Sequence, residues 1–392
     1  MKINLAVCGK FHHANYVRFL SEAGVLNRFY YSHKWSTNAE LLGIKPAEAV
    51  NLWMKEYLLH SHIRIFNQRM ANFFYPLYQK IWETQVRYQW SQPEIAHIMS
   101  QGTAVTLAKD INKSGIPLIL EPVNAHPVLV TRLLNEEYER LGLGNRIELN
   151  KGQTQQIKEI AFADYLLVPS DFVGKSFIDQ GFPADKVKTI PLAVDLSRFS
   201  ESKPDFSMKR AFRVICVSQI SLRKAQIDLI TAWKMLNLPD SELIFAGSMA
   251  DEMKFLEKEF TGNIRYLGAV PWKEIPALLQ NCDVFVLPSI EDGFGLAPIE
   301  AMASGLPAIV TENTGCSEQI VNGETGFVVP IRNPAEIAAR IEKLYIDRTL
   351  LKSMGEEAAG KSRESMGWDT YADRLTDYYR SISETPPSQK KK

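Results

Sequence analysis

Eight short apolar runs constrain the fold of this 392-residue chain more than any other feature of its sequence. They are rich in Val, Ile and Leu, a composition typical of strands buried on both faces of a parallel sheet. Most are followed by a turn and then by a segment of helical period, which is the alternation of doubly wound α/β proteins. The runs lie at residues 3–8, 117–121, 165–169, 187–191, 213–218, 242–247, 283–287 and 307–311.

The length of the chain and a polar break predict two α/β domains that face each other across a cleft. The break is the stretch 195–210, which is polar, contains Pro204 and separates one series of strands from the next. The predicted segments are a first Rossmann-like domain over 1–197, a linker over 198–210, a second Rossmann-like domain over 211–368, a helix over 369–384 that packs back on the first domain, and a disordered tail over 385–392.

Composition excludes several classes of protein. The 45 basic and 45 acidic side chains cancel, so no global field attracts nucleic acid. The four cysteines form no Cys-x-x-Cys pair, which indicates scattered thiols in a reducing compartment and no zinc site. No apolar run approaches the roughly twenty residues that span a bilayer. We therefore expect a cytoplasmic protein that is soluble or attached to the inner face of a membrane.

A cluster of large aromatic side chains lies within residues 46–90, in a segment of mostly helical period. Two interpretations stay open: packing in the core or between domains, or an apolar surface that meets a lipid-linked acceptor. The aromatic residues in question are Trp53, Tyr57, Phe66, Phe73, Phe74, Tyr78 and Trp82.

The most informative motif, residues 283–310, reads as a strand, a glycine-rich turn, a helix and a second strand. Gly293 and Gly295 leave the backbone bare where the chain turns, and Pro298 suits a first helical turn. The amides of Phe294, Gly295, Leu296 and Ala297 would then point toward an anion, aided by the helix dipole. The motif predicts a phosphate-binding turn.

Two carboxylates flank this turn. Asp292 precedes the first glycine, and Glu300 follows eight residues later inside the helix. A carboxylate accepts two hydrogen bonds at once, which suits the vicinal hydroxyls of a ribose or a hexose.

At this motif the sequence resembles the family 4 retaining glycosyltransferases of the GT-B fold, whose signature places two acids around Gly-Phe-Gly. The resemblance covers most of residues 160–345 and implies that Glu300 binds the ribose of a nucleotide diphosphate sugar. It also implies that Asp292, which stands where the family usually has Glu, binds hydroxyls of the donor sugar. No Asp-x-Asp pair occurs, so we expect no metal and no cofactor besides the sugar nucleotide.

A second segment, residues 217–233, places two cations after a strand. Arg223 and Lys224 could neutralise a diphosphate leaving group as its charge develops. Lys224 matches a lysine of the family pattern, whereas Gln219, beside Ser218, replaces the usual arginine. The resemblance makes Ser218 and Gln219 donor-binding candidates and implies that main-chain atoms near Val270 read the base.

In the first half, His126 follows a strand and precedes Pro127, at the edge where α/β sheets bind ligands. The resemblance implies a catalytic role for it beside the reacting sugar; the alternative is an ordinary loop histidine. The loop after the first strand is expected to line the acceptor side through Gly9, Lys10, His12 and His13.

The resemblance implies transfer of a hexosyl unit, with retention of configuration, to a glycan or glycolipid acceptor in polysaccharide biosynthesis. Two alternatives remain. One is a nucleotide-sugar epimerase or phosphorylase on the same scaffold. The other is an impaired sugar-nucleotide-binding protein, suggested by the departures at Gln219 and Asp292.

Overall fold

The fold was analysed in a computed structural model that describes residues 1–9, 11–34, 36–66, 68–144, 146–199 and 210–384. The side chains of residues 68, 69, 71 and 72 are also left undescribed. Lys10, most of the predicted linker and the predicted tail over 385–392 therefore lie outside the described residues.

The first half builds a seven-stranded sheet in the order β3-β2-β1-β4-β5-β6-β7. Every neighbouring pair in it is parallel. Its strands are β1 (Ile3–Val7), β2 (Leu26–Tyr31), β3 (Ala49–Asn51), β4 (Ile95–Met99), β5 (Leu118–Glu121), β6 (Tyr165–Val168) and β7 (Val187–Thr189). All five residues of β1 are buried, as the apolar run 3–8 predicts for a strand covered on both faces.

The second half builds a six-stranded sheet in the order β10-β9-β8-β11-β12-β13, again parallel at every pairing. Its strands are β8 (Phe212–Val217), β9 (Ser241–Ala246), β10 (Ile264–Tyr266), β11 (Val284–Leu287), β12 (Ala308–Thr311) and β13 (Gly326–Val329). Each of the eight predicted runs overlaps a strand. Five short strands were missed, namely β2, β3, β4, β10 and β13.

Fourteen helices connect and cover the strands within the described part of the chain. They are α1 (His13–Glu22), α2 (Ala39–Leu42), α3 (Met54–Ile65), α4 (Gln68–Gln89), α5 (Val105–Ser114), α6 (Pro127–Arg140), α7 (Lys151–Ile160), α8 (Asp171–Ile178), α9 (Gln226–Met235), α10 (Ile275–Gln280), α11 (Leu296–Ala303), α12 (Pro334–Ile346), α13 (Arg348–Ser365) and α14 (Trp368–Glu384). Local sequence explains several boundaries: Asn150 and Gln153 form a capping box at the start of α7. No helix among the described residues is long and apolar enough to cross a membrane.

The strand order reverses in both sheets, between β1 and β4 in the first and between β8 and β11 in the second. Ligands of open α/β sheets bind at such reversals, outside the carboxyl ends of the strands. The fold therefore positions one crevice per sheet on the side where the two halves meet. The α/β architecture with two parallel sheets confirms the predicted fold class.

The last helix returns to the first half. Helix α14 packs on α1, and Tyr379 from α14 bonds His97 of β4 across 282 positions of sequence. Tyr371, Leu375 and Tyr379 of α14 are buried in the same apolar cluster as Ile3 and Leu5 of β1. The boundaries predicted for the domains, the linker and the tail remain predictions.

The aromatic residues of segment 46–90 include both buried core residues and exposed surface residues, so each of the two interpretations applies to part of the segment. Tyr78 and Trp82 of α4 are buried in the core of the first half. Trp53, Tyr57, Phe66 and Phe73 are exposed, Phe73 by 75%. Helices α3 and α4 thus pack on the core at one end and present an aromatic surface at the other.

Candidate active site between the two sheets

A cavity of about 400 Å³ opens at the carboxyl ends of both sheets. Its first wall includes Phe11 and His12 after β1, Met99 at the end of β4, and Val123 after β5. Its second wall comprises residues that follow β8 and β11 together with the turn that opens α11. The residues of the second wall are Val217, Ser218, Gln219, Lys224, Leu287, Asp292, Phe294, Gly295, Leu296 and Ala297.

The predicted phosphate-binding turn lies on this cavity. Gly295 is the residue before α11 and has a φ of 81°, in the left-handed region that favours glycine. A Cβ there would lie 2.9 Å from Cγ2 of Thr314 and 3.3 Å from a carboxylate oxygen of Asp292. Leu296 and Ala297 follow in the first turn of α11, where amide N–H groups lack intrahelical acceptors. The turn can therefore receive an anion.

At Gly293 the glycine is required by a close backbone contact and not by its φ angle. A Cβ on this residue would lie 1.8 Å from the carbonyl oxygen of Val123, so the loop after β5 approaches its backbone directly. Its carbonyl also accepts a 2.8 Å hydrogen bond from the Ser170 hydroxyl of the first half. Gly293 thus lets the two halves meet beside the cavity.

Lys224 and Asp292 form an ion pair in the cavity wall. Their side chains are 11% and 14% exposed, so the pair is largely shielded from solvent. Lys224 precedes α9, and Asp292 lies in the turn before α11, bridged to Thr314. The chain therefore places a cation and an acid, 68 positions apart in sequence, beside the predicted phosphate-binding turn.

Arg223 points to a different partner from its neighbour. Its guanidinium donates to Oε2 of Glu291 at 3.1 Å and to the side-chain oxygen of Asn124 at 3.1 Å. Arg223 is not among the residues that line the cavity. The structure thus separates the two cations that the sequence analysis assigned together to a diphosphate: Lys224 lies in the cavity wall, and Arg223 bridges the halves.

Glu291 is a buried carboxylate beside the candidate site that the sequence analysis did not single out. Its carboxylate is fully buried, accepts the N–H of Ala125 at 3.1 Å and pairs with Arg223. Burial raises the pKa of Glu291, while the Arg223 guanidinium opposes that shift. The adjacent pair Glu291-Asp292 was the available signal, but adjacency alone does not show which carboxylate faces the cavity.

Glu300 and Val270 lie beyond the cavity's own lining. Burial raises the pKa of Glu300, and the positive charge of Arg198 counteracts it. Arg198 donates from Nη2 to the carbonyl of Trp272 at 2.8 Å and stacks on the Trp272 ring. The arginine thus links the end of the first half to the turn around Val270, a connection that no local sequence pattern indicated.

The residues predicted on the acceptor side differ in how deeply they are buried. Gly9 precedes the undescribed Lys10 and has a φ of 148°. His12 lines the cavity, whereas His13 is fully buried behind it. Both rings meet one carboxylate: Nε2 of His12 lies 2.8 Å and Nε2 of His13 lies 2.7 Å from the two oxygens of Glu121.

His126 lies outside the cavity lining. It precedes α6, where its Nδ1 accepts the N–H of Val128 at 3.2 Å. Its backbone N–H donates to Ser176 at 2.8 Å, and its ring packs edge-on against Phe177. Burial lowers the pKa of His126, so the neutral ring that caps the helix is favoured. The structure gives this histidine a helix-capping contact and does not bring it to the bare turn.

One group of side chains among the described residues could in principle hold a metal ion, because its ligand atoms all lie within 4.8 Å of one another. The group consists of His12, His13 and Glu121. The two nitrogen–oxygen distances of 2.7 and 2.8 Å are those of hydrogen bonds with protonated ring nitrogens. The geometry is therefore that of a hydrogen-bonded network.

Comparison with known proteins agrees with the resemblance found in the sequence. Residues 198–361, less than half of the chain, match the family described as Glycosyl transferases group 1. The matched segment contains Lys224, the turn before α11, Asp292 and Glu300.

Two curated relatives and one solved structure illustrate the similarity. The chain is 27% identical over 242 residues to the GDP-mannose-dependent alpha-(1-6)-phosphatidylinositol monomannoside mannosyltransferase of Mycobacterium tuberculosis, covering 55% of this chain and 62% of that protein. It is 35% identical over 150 residues to the putative glycosyltransferase EpsD of Bacillus subtilis, covering 37% and 39%. Anabaena HepE in complex with UDP-glucose matches with a TM-score of 0.69 and 19% identity, over 97% of this chain and 99% of that one. This likeness establishes the GT-B fold.

Proposed function

We propose that this chain is a glycosyltransferase that moves a hexosyl unit from a nucleotide diphosphate sugar to a glycan or glycolipid acceptor, with retention of configuration. One observation carries the proposal: the bare turn Gly295–Ala297, Lys224 and Asp292 line the same cavity as residues of the first half. A donor bound by the second half would thus face an acceptor bound by the first.

The donor diphosphate would lie on the amides at the start of α11, with Lys224 beside it. As the bond between the sugar and the phosphate breaks, negative charge grows on the leaving diphosphate. A preorganised ammonium group and helix amides stabilise such charge without a metal ion. Asp292, already paired with Lys224, would accept hydrogen bonds from sugar hydroxyls.

Retention follows if the acceptor hydroxyl attacks from the face that the phosphate leaves. The acceptor oxygen then bonds to the anomeric carbon as the carbon–phosphate-oxygen bond breaks, and the departing phosphate oxygen takes the acceptor's proton. This route needs no carboxylate on the opposite face of the sugar, in contrast to the two flanking acids of glycoside hydrolysis.

The nucleotide would extend from the turn toward Glu300, which would bond the ribose, and Val270, whose main chain would meet the base. Arg198 links these elements because it couples electrostatically to Glu300 and contacts the turn at Trp272. The Mycobacterium relative is named for GDP-mannose and the Anabaena structure for UDP-glucose. These names define the donors to be compared.

A lipid-linked acceptor would explain the aromatic surface of α3 and α4. Tyr57, Phe66 and Phe73 are exposed by 63%, 60% and 75%. The same helices expose the cations Arg64 and Lys80, whereas Lys55 is buried and paired with the acid Glu56, so the exposed charge favours an anionic membrane face. We therefore propose peripheral attachment at the cytoplasmic face of the membrane, as the phosphatidylinositol lipid in the Mycobacterium relative's name also suggests.

Membrane attachment is tested by sedimentation with vesicles. Wild-type protein should sediment with vesicles that contain anionic phospholipid and be released by high salt. The double variant Phe66→Ser/Phe73→Ser should remain in the supernatant. Ile346→Ser, which alters an equally exposed apolar side chain on the second half, is the control. Sedimentation of both variants like wild type would refute the membrane proposal.

The reaction is tested in two steps. A thermal-shift screen of UDP-, GDP- and ADP-sugars should identify the donor, because a ligand at a hundred times its Kd adds about 2.7 kcal/mol of stability. With that donor, NMR of the glycosylated product should show the anomeric configuration of the donor. An isomerised nucleotide sugar without acceptor would instead identify an epimerase, and binding without any turnover would identify a binding protein.

Lys224→Met tests the role of the cavity cation. Losing one preorganised donor to developing charge costs about 10²–10³ in kcat. Lys234→Met is the matched control, since Lys234 lies in the last turn of α9, is exposed and pairs with Glu259 outside the cavity lining. Wild-type turnover in Lys224→Met would overturn the assignment.

A further inference from the structure

A buried carboxylate at the end of β5 gathers three histidines. Glu121 is 2% exposed, and its oxygens lie 2.8 Å from Nε2 of His12, 2.7 Å from Nε2 of His13 and 3.2 Å from Nε2 of His97. Interaction with His12 and His13 holds the pKa of Glu121 well below its usual range despite the opposing effect of burial. An ionised carboxylate in this position keeps each bonded ring nitrogen protonated and fixes the ring's orientation.

Helix α14 completes the enclosure of His12. The Trp368 ring stacks on the His12 ring with the two planes 9° apart, and the Tyr371 ring meets it edge-on. The Tyr371 hydroxyl also lies 3.4 Å from Oε1 of Glu121. The final helix of the chain thus holds in place a histidine of the first half.

The two adjacent histidines differ in access. His13 is fully buried, and burial lowers its pKa to about 4, so it stays neutral at pH 7. His12 retains 8% side-chain exposure and lines the cavity opposite Asp292 and Gly295. With Nε2 bonded to Glu121, Nδ1 of His12 has no partner among the described residues. One ring nitrogen therefore remains available beside the cavity.

We propose that Glu121 is a positioning residue that fixes the His12 ring so that Nδ1 accepts a hydrogen bond from an acceptor hydroxyl next to the one that attacks. This inference rests on the proposed function and deepens it by naming the group that holds the acceptor. The attacking hydroxyl, placed by this bond, forms the new bond to the anomeric carbon, and its own proton passes to the departing phosphate oxygen.

The groups that face His12 show why Glu121 sets its orientation. Glu121 faces it from β5, Tyr371 from α14, and His13 and Tyr16 from α1. The Lys224–Asp292 ion pair lines the cavity across from it. Glu121 is the charged group in direct contact with the ring, so its removal should disturb the ring's orientation most.

The test compares acceptor kinetics with donor binding. Glu121→Gln keeps an oxygen acceptor for one ring but removes the negative charge that holds the bonded ring nitrogens as donors, so the His12 ring loses its fixed orientation. The KM for the acceptor should rise and lower kcat/KM about 10²-fold, while the donor's Kd stays at the wild-type value. Glu48→Gln is the matched control, because Glu48 is also buried in the first half and accepts bonds from Ser21 and Lys45 away from the cavity. That variant should leave the KM for the acceptor unchanged.

A second variant separates positioning from folding. His12→Ala should lower kcat/KM for the acceptor about 10²-fold while the donor's Kd, measured by calorimetry, stays at the wild-type value. A wild-type KM for the acceptor in Glu121→Gln, or equal losses of donor and acceptor affinity in His12→Ala, would overturn the inference. Either result, obtained with a wild-type protein that transfers sugar, leaves the proposed function standing. Failure of wild type to transfer any sugar would refute the function itself.

Discussion

The ion pair between the partly exposed Arg223 and the buried Glu291 offers a sharp test of the electrostatics at the junction of the halves. Arg223→Met removes the guanidinium and leaves Glu291, which is fully buried, with only the N–H of Ala125 as a bonded partner. Burial disfavours the charged form of an unpaired carboxylate, so the group binds a proton and becomes neutral. The loss of stability should therefore depend on pH.

The magnitude follows from the cost of protonation. An unfolded glutamate has a pKa of about 4.3, and each pH unit above it costs about 1.4 kcal/mol for the neutral form. Arg223→Met should thus lower the free energy of unfolding by at most about 3.7 kcal/mol at pH 7 and at most about 1 kcal/mol at pH 5, because wild type, whose Glu291 pKa is itself raised, already bears part of this cost. Because the folded pKa of Glu291 in the variant is raised, the penalty grows as pH rises above the unfolded value and reaches its limit at the folded one.

The assay is urea unfolding followed by tryptophan fluorescence at pH 5, 6, 7 and 8. Arg223→Met/Glu291→Gln is the matched control: it removes the remaining charge and should flatten the pH dependence of the difference from wild type. A loss of stability in Arg223→Met that is the same at pH 5 and pH 8 would refute the assignment of Glu291 as the buried, arginine-paired carboxylate.

Two further predictions concern a glycine and a second buried acid. Gly295→Ala should lower the free energy of unfolding by about 1–2 kcal/mol, because φ at this position is 81° and the added Cβ would lie 2.9 Å from Thr314. The variant should also bind the donor more weakly in calorimetry. Unchanged donor affinity would show that the turn does not hold the diphosphate. Burial raises the pKa of Glu159 to about 7, so this group makes stability fall as pH rises from about 4.3 toward 7. Glu159→Gln should abolish that part of the slope in a series of melting temperatures, and an identical slope in the variant would contradict the role of Glu159.

Sequence reasoning found the parts of the site that depend on local geometry. The turn before α11 needs a left-handed residue at Gly295 and a helix start directly after it, and both requirements are visible in neighbouring positions. Lys224 was found in the same way, as a cation after a buried strand. Parallel strands bring such ends together at one edge of a sheet, so the association of Lys224 with Asp292 follows from the fold class.

The parts that sequence reasoning missed depend on contacts between distant segments. Glu291 is defined by Arg223 and Ala125, which lie 68 and 166 positions away. Nothing in the dipeptide Glu291-Asp292 indicates which acid turns inward, because consecutive residues of a turn can point either way. His126 shows the converse: its position after a strand suggested the cavity, but Pro127 starts α6 immediately, and the ring serves as the cap of that helix.

These distant contacts converge on six residues that follow one strand. Within 121–126, Glu121 holds the histidines, Val123 meets the backbone of Gly293, Asn124 bonds Arg223 and Ala125 bonds Glu291. The same segment therefore touches the acceptor-side network at its start and the donor-side turn at its centre. A shift of the loop at 291–293 on donor binding would press directly on Val123, two residues from Glu121, because no side chain separates Gly293 from that carbonyl. The missing side chain at Gly293 thus lets the donor-side turn contact the segment that also carries Glu121, a contact that spacing in the sequence does not indicate.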